Sequence, residues 1–281
     1  MLAANLCTKM SYAIHEKCLN FPEMAHPNKK SAVTRAKALL KKVPGLVPLV
    51  RMHRLLINPR YRSEWLLQQR KPKNLFQPFS TTAFDRHPKI FSFVAERLSD
   101  VPSPRILSFG CSTGEEAFTL RKYFPDAEIV GIDINPRNIA ICKKKLRKSG
   151  DGKIRFELAS SSDFEPAEHY DAVFCMSVLR HGGLGTTRPE NCSHLIRFED
   201  FERSIAGLCR IVKHGGFFVI RWSNFRFADT DSAPGFTTVY ATAEALRADM
   251  PIYGPDNRLL PGVACNEVVF RKRACPESAS I

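Results

Sequence analysis

The chain has 281 residues, of which 44% are hydrophobic, and a formal net charge of +14. This length and composition suffice for a full buried core, and no run of 18 or more apolar residues predicts a membrane-spanning helix. The first residues lack the apolar stretch of a secretory signal, so a cytoplasmic protein is expected. Nine scattered cysteines without a CxxC spacing indicate a reducing compartment and no metal site.

The positive charge is concentrated near the N-terminus. Residues 29–73 contain 13 Lys or Arg and one acid, Glu64, so +12 of the +14 lies there and +2 remains elsewhere. Such a segment could contact nucleic acid, a membrane surface or an acidic partner, although a solvated helical lead-in is the simpler interpretation. The predicted domains are a flexible end over residues 1–28, a basic helical lead-in or lid over 29–100, and a main domain over 101–281.

The lead-in has helical periodicity with interruptions. Apolar and basic residues recur over residues 32–57, and Pro44 and Pro48 predict short helices broken at the prolines. The apolar residues of this stretch, set among basic ones, are also typical of a helix at a membrane surface. Residues 84–98 are predicted to form one further helix.

Short apolar stretches alternate with amphipathic ones after residue 104. Strands are predicted at residues 105–109, 127–132, 154–158, 172–176, 216–221 and 263–271, and helices at 115–123, 137–148 and 198–212. This alternation predicts an α/β, Rossmann-like fold with a mostly parallel sheet and helices on both of its faces.

The first strand ends in the turn Gly110-Cys111-Ser112-Thr113-Gly114, which opens a helix. Glycines there let the backbone approach a ligand closely, and ligands of open parallel sheets bind outside the carboxyl ends of the strands. Gly110 and Gly114 are therefore candidate binding residues. Taken alone, this turn suits a nicotinamide cofactor as well as other nucleotides.

The second strand ends in a carboxylate, Asp133, 23 positions after Gly110. A carboxylate at this point can accept hydrogen bonds from the ribose of an adenosine, in NAD and S-adenosylmethionine (SAM) alike. Two acids, Glu115 and Glu116, occupy the helix start where a pyrophosphate needs bare N–H groups. The third glycine of the dinucleotide fingerprint is also missing. These features favour SAM, with Glu115 near its cationic methionine moiety.

The turn Gly110-Cys111-Ser112-Thr113-Gly114-Glu115-Glu116 resembles that of the class I SAM-dependent methyltransferases of the CheR type, which methylate chemoreceptor glutamates. Thr82 to Arg86 is similar to an upstream segment of that family, and Asp133-Ile134-Asn135 to its ribose-binding strand end. The resemblance implies a seven-stranded sheet and additional cofactor contacts from Thr82, Arg86, Cys111, Ser112 and Ile134.

The chain also departs from the CheR pattern. Met176 and Ser177 replace an Arg-Asn pair on the fourth strand, where the Ser177 hydroxyl could take part of the amide's role. The small β-subdomain of the family is missing, so recognition of a chemoreceptor does not carry over. A polar residue after the third strand often contacts adenine in class I methyltransferases, and Asp163 is the candidate here, with a turn-capping role as its alternative.

Two residues are candidates for catalysis. The resemblance implies that Arg86 lies near the sulfur and orients an anionic acceptor, with an ordinary helix-surface arginine as the alternative interpretation. His181 follows the fourth strand and precedes a glycine-rich loop, residues 182–188, so it could act as a base over a covered substrate. An ordinary loop histidine is the alternative interpretation for His181.

The favoured function is methyl transfer from SAM to a small molecule. The alternatives are methylation of a protein glutamate, as in CheR, and methylation of RNA, for which the basic segment is the only support. A SAM-binding module without catalysis and a NAD-dependent oxidoreductase also stay open. The last is disfavoured by Glu115 and Glu116 at the turn.

Overall fold

A computed structural model of the protein describes residues 46–242 and 250–274. The helices are α1 (Leu46–Ile57), α2 (Pro59–Arg70), α3 (Pro88–Arg97), α4 (Glu115–Tyr123), α5 (Pro136–Ser149), α6 (Gly182–Thr187) and α7 (Phe198–Ile211). The strands are β1 (Arg105–Phe109), β2 (Glu128–Asp133), β3 (Ile154–Leu158), β4 (Tyr170–Met176), β5 (Val212–Arg221), β6 (Phe236–Ala241) and β7 (Glu267–Lys272).

The seven strands form one sheet in the order β3-β2-β1-β4-β5-β7-β6. Strands β1 to β5 run parallel, and β7 pairs antiparallel with both β5 and β6. Alternate residues of β1 enter different hydrophobic clusters: Leu107 joins one with α7, and Ile106 joins another with α3, α4 and α5. The predicted Rossmann-like sheet covered on both faces is therefore confirmed.

The strand order reverses between β1 and β4, which are neighbours on the sheet. In open α/β sheets such a reversal leaves a crevice at the carboxyl ends of the strands. Phe109 pairs with Ile132, so the turn that begins at Gly110 and the carboxylate of Asp133 emerge side by side at this edge. The topology thus brings the candidate binding residues together.

Prolines set the helix starts differently from the prediction. The predicted break at Pro48 is wrong, because Pro48 lies in the first turn of α1, where a missing N–H costs nothing. Pro44 lies outside the described residues. The helix predicted over residues 84–98 begins only at Pro88: the residue before a proline avoids the helical region, and His87 has φ −135° and ψ 55°.

Three further elements differ from the prediction. The predicted glycine-rich loop at residues 182–188 forms the short helix α6. The last strand, predicted over residues 263–271, is β7 at Glu267–Lys272, and the alternating sequence of β6 was missed. No helix within residues 46–242 and 250–274 is long and apolar enough to cross a bilayer.

The contacts within the chain define two compact units with the boundary between Ser63 and Glu64. All elements from α3 onward belong to the second unit. The predicted divisions after residues 28 and 100 stay predictions.

Replacing the Phe174 ring will destabilise the sheet. Phe174 is fully buried in β4, with ring centroids of Phe91 and Phe124 at 5.6 and 6.4 Å. We expect Phe174→Ala to lower the free energy of unfolding by about 3–5 kcal/mol in urea titrations. Phe164→Ala, at a ring that is 54% exposed, is the control and should change it by less than about 1 kcal/mol. Equal losses would contradict this assignment of the core.

Candidate functional site

The turn after β1 depends on glycine at its first position. Gly110 has φ +73°, and a Cβ there would clash with the side chain of Val178 after β4. The amides of Gly110 and Cys111 both donate to the Ile132 carbonyl, at 2.7 and 2.9 Å. These bonds fix the turn against the end of β2, next to Asp133.

The Asp133 carboxylate is buried and held by three N–H donors. Its oxygens accept hydrogen bonds from the amides of Ser112 and Asn135, both at 2.8 Å, and from Asn138 Nδ2 at 3.1 Å. Burial raises the pKa of Asp133 and outweighs the lowering effect of these bonds. A carboxylate has about four acceptor positions, so roughly one is left for a ligand hydroxyl.

The segment before α3 is tied to the same network. Ser80 donates its amide to Glu64 Oε1 at 3.0 Å, and its hydroxyl accepts from Asn138 Nδ2 at 2.9 Å. Asn138 thus links Ser80 to Asp133. Neither Ser80 nor Asn138 was singled out in the sequence; a polar Asn on the apolar side of a helix was the available signal.

A cavity opens above these residues, and we call it the outer cavity. It is about 630 Å³, counted to its open mouth, which lies in the range of small-molecule sites. Four polar side-chain atoms in its wall are buried without a hydrogen-bond partner, namely Asn74 Oδ1, Gln77 Oε1, Ser112 Oγ and Ser177 Oγ. Buried polar atoms are rarely left unpaired, so their clustering here indicates a place for a polar ligand.

A second cavity, here called the inner cavity, continues from the outer one through shared walls at Gly110, Ser112 and Met176. Its other lining residues include Thr82, Arg86, His87, Cys111 and Glu116. The Arg86 guanidinium donates to the Thr81 carbonyl at 2.8 Å. Burial lowers the pKa of Arg86, while the nearby Glu116 acts in the opposite direction.

Glu116, rather than Glu115, is the acid at this cavity. Glu116 accepts a hydrogen bond from Ser108 Oγ at 2.7 Å, and burial raises its pKa to about 7 despite that bond and the charge of Arg86. Glu115 instead pairs with Lys145 and with Thr113 Oγ. Burial acts to raise the pKa of Glu115, but these partners outweigh it and lower the value.

Four predicted site residues fall outside the lining of both cavities: Gly114, Glu115, Asp163 and His181. Gly114 has φ +94° and shapes the turn that the cavities use. The exposed Asp163 side chain accepts from Ser161 Oγ at 2.8 Å, as in its alternative turn-capping role. Ala159 and Ser160 line the outer cavity in its place.

His181 caps a helix. Its Nδ1 accepts the Gly183 amide at 3.1 Å at the start of α6, and burial, together with His194 and Arg180, lowers its pKa. The histidine that faces the inner cavity is His87, which the sequence analysis did not single out. Within the described part of the chain, no group of three or more His, Cys, Asp or Glu residues is arranged to hold a metal ion.

The sequence profile of the methyltransferase domain family matches residues 101–265, more than half of the chain. The chain therefore belongs to this family. The match confirms the predicted class, a class I SAM-dependent methyltransferase domain with SAM as its cofactor.

Curated relatives share parts of the chain. A trans-aconitate 2-methyltransferase of Methylobacterium radiotolerans is 29% identical over 89 residues, 31% of this chain and 32% of that protein. A demethylmenaquinone methyltransferase of Thermus thermophilus is 29% identical over 117 residues, 41% of this chain and 46% of that protein. The chain thus spans less than half the length of each of these relatives.

A solved structure from work on the conversion of a disulfide bond into a thioacetal group during echinomycin biosynthesis is also similar. It has a TM-score of 0.42 and 22% sequence identity, over 66% of this chain and 83% of that one.

Proposed function

We propose that the protein transfers a methyl group from SAM to a small molecule. The observation that carries this proposal is the pair of continuous cavities at the carboxyl ends of the strands, with Asp133 in the outer one and Glu116 and Arg86 in the inner one. Each carries polar groups that one part of SAM complements.

The outer cavity suits the adenosine of SAM. Asp133 would accept a hydrogen bond from a ribose hydroxyl, and Ile134 would contact the nucleoside with its apolar side chain. The buried hydroxyls of Ser112 and Ser177 lack partners and would bind polar atoms of the ligand. Ser160 would contact the adenine in place of Asp163, because Ser160 lines the cavity and Asp163 does not.

The inner cavity suits the methionine end of SAM, which carries an ammonium and a carboxylate. Glu116 would bind the ammonium, and Arg86 with Thr82 would bind the carboxylate. Burial moves the pKa of both Glu116 and Arg86 towards the neutral form, so an opposite charge brought by a ligand would stabilise each ionised form.

SAM supplies an activated methyl group whose transfer is an in-line displacement. The protein's task is to hold the acceptor in line with that group and to exclude water, which is worth several kcal/mol of barrier. The segment from Asn74 to His87, which lines both cavities, provides that enclosure.

A small-molecule acceptor is supported by the names of the curated relatives, which include methyltransferases of trans-aconitate and of demethylmenaquinone. A protein glutamate, the acceptor of the CheR type, is the second candidate. Thr82 and Arg86, which the CheR resemblance pointed to, both line the inner cavity, but as cofactor contacts they do not distinguish a glutamate from a small-molecule acceptor.

Adjacent glutamates give a matched test of cofactor binding. We expect Glu116→Gln to weaken SAM binding about 10- to 100-fold in calorimetry, because a charge-assisted hydrogen bond to the ammonium is lost. Glu115→Gln should change it less than about threefold. Methylthioadenosine, which lacks the methionine end, should bind both variants like the parent protein. A larger loss of SAM affinity in Glu115→Gln than in Glu116→Gln would contradict this assignment of the ammonium site.

Labelled SAM tests the activity. Purified protein is incubated with methyl-labelled SAM and a cell extract, and the label is measured separately in metabolite, protein and RNA fractions. We expect it in the metabolite fraction, with Asp133→Ala abolishing incorporation. Label in protein would support the CheR-type acceptor instead. Binding of SAM without transfer of the label to any fraction would indicate a non-catalytic SAM-binding module. Binding of NADH in place of SAM would contradict the proposal.

The basic lead-in is proposed to contact an anionic membrane surface. Along α1 the side chains of Leu49, Met52 and Leu56 are 66%, 61% and 70% exposed, and their spacing puts them on one face. The helix lies within the +12 segment, residues 29–73. An exposed apolar face among basic residues suits the surface of a bilayer with anionic headgroups. A cytoplasmic location stays a prediction with it.

Vesicle sedimentation tests this surface. We expect the protein to bind phosphatidylglycerol vesicles at low salt and to bind phosphatidylcholine vesicles at least about tenfold more weakly, because each basic residue near an anionic surface adds about 1 kcal/mol. Leu49→Glu/Leu56→Glu should abolish binding. The control Phe164→Glu, at an exposed ring far along the chain, should not. Equal binding to both lipids would contradict the proposal.

A further inference from the structure

Large apolar side chains are exposed next to the two cavities. In the part of the second unit that the structure describes, five such side chains are exposed, and four of them either line a cavity or adjoin a lining residue in the chain: Leu66, Phe79, Phe84 and Leu158. The fifth, Phe164, does neither. A single exposed apolar residue is ordinary, but a concentration at one place indicates a contact surface. We call these four residues the apolar rim.

The two aromatic rings of the rim project from backbone that is bonded to the body of the fold. Phe79, which is 41% exposed, precedes Ser80, whose hydroxyl is hydrogen-bonded into α5. Phe84, which is 56% exposed, precedes Asp85, whose amide donates to Thr119 Oγ1 at 3.1 Å. A partner can therefore contact both rings without first ordering a free stretch of chain, which lowers the entropic cost of binding.

The surroundings of the rim are basic. Residues 66–89 contain five Lys or Arg and one acid, Asp85, whose carboxylate accepts a hydrogen bond from the Tyr123 hydroxyl at 2.7 Å. Four of the five cations are exposed, namely Arg70, Lys71, Lys73 and Lys89. Apolar side chains among exposed cations suit an anionic bilayer, because the apolar groups enter the boundary of headgroups and acyl chains while the cations meet the lipid phosphates. An apolar protein partner would leave this excess of cations without a role.

We infer that the apolar rim docks the crevice on an anionic bilayer, and that the methyl acceptor is a lipophilic molecule that enters the crevice from that bilayer. The inference rests on the proposed function. The rim belongs to the second unit, whereas α1, the other proposed bilayer contact, belongs to the first. Rim residues lie along or next to the linings of both cavities, so an acceptor that leaves the bilayer at the rim enters the crevice without crossing bulk water.

Brominated lipids test whether the rim enters the bilayer. Phe84→Trp puts a fluorescent ring in the rim, and Phe164→Trp is the control, at a ring of similar exposure that adjoins no lining residue. Fluorescence is measured on phosphatidylglycerol vesicles with and without bromine on the acyl chains. We expect quenching in Phe84→Trp to exceed that of the parent protein at least about twofold, because an interfacial side chain lies about 5–10 Å deep. Phe164→Trp should be quenched no more than the parent protein, whose own tryptophans are Trp65 and Trp222.

Partition of the labelled product tests the class of acceptor. The protein is incubated with methyl-labelled SAM and either vesicles formed from a chloroform extract of cell membranes or the aqueous metabolites of the same cells. The label is then measured after partition between chloroform and water, and SAM binding is measured by calorimetry on the same protein samples. We expect label in the chloroform phase of the vesicle incubation and none above background from the aqueous metabolites.

Charged variants of the rim separate docking from cofactor binding. Phe84→Glu/Leu158→Glu should lower labelling from vesicles at least about tenfold, and Phe164→Glu less than about twofold, because carboxylates in the rim oppose contact with anionic headgroups. SAM binding should change less than about threefold in each variant, because none of these side chains lines a cavity. With the same lipids dispersed in a neutral detergent, the double variant should label them at the parent rate, since no bilayer is left to dock on.

Three results would overturn the inference and leave methyl transfer to a small molecule standing: equal quenching of Phe84→Trp and Phe164→Trp, label confined to the aqueous metabolites, or a loss in the double variant that detergent does not restore. Failure of the parent protein to bind SAM would instead overturn the proposed function.

Discussion

The site depends on one buried carboxylate and the three N–H groups that hold it. Asp133 receives the Ser112 amide from the turn after β1, the Asn135 amide from the start of α5 and the Asn138 side chain from within that helix. These bonds join the turn after β1, the end of β2 and the helix α5 at the crevice edge, and Asn138 extends them to Ser80. Burial still raises the pKa of Asp133, so its ionised form gains from a further donor.

Burial also shifts the pKa values of other ionisable groups that line the cavities. Burial raises the pKa of Glu116, and it lowers the pKa values of Arg86 and His87. Each group is thus shifted towards its neutral form while it faces a cavity. A ligand with an ammonium, a carboxylate and hydroxyls reverses these shifts for the first two groups and for Asp133, because each then gains an opposite charge or a donor. Asp133, Glu116 and Arg86 together therefore favour such a ligand, and no one of them would select it alone.

The sequence predicted the fold well because its signals are local. Continuous apolar strands and amphipathic helices between them follow from burial on both sheet faces, and a glycine turn followed by Asp133 marks the crevice. The local sequence does not show which of the two acids, Glu115 or Glu116, faces the cavity. It depends on Lys145, thirty positions away, which pairs with Glu115, and on Ser108 below the turn, which pairs with Glu116. Which side of a helix start faces a cavity is a matter of tertiary packing.

His87 illustrates the same limit of local sequence signals. Its only local mark is Pro88, which keeps it out of the helical conformation at the start of α3. Its surroundings come from residues far along the chain: the Trp222 ring packs against the imidazole, and Arg221 adds to the lowering of its pKa by burial. His181 follows a strand end and precedes glycines, which is the more typical sequence context for a site residue. These glycines form the short helix α6, and the Gly183 amide in its first turn donates to His181 Nδ1. The unpaired Nε2 atom at the inner cavity therefore distinguishes His87 from His181, whose Nδ1 is bound to the Gly183 amide.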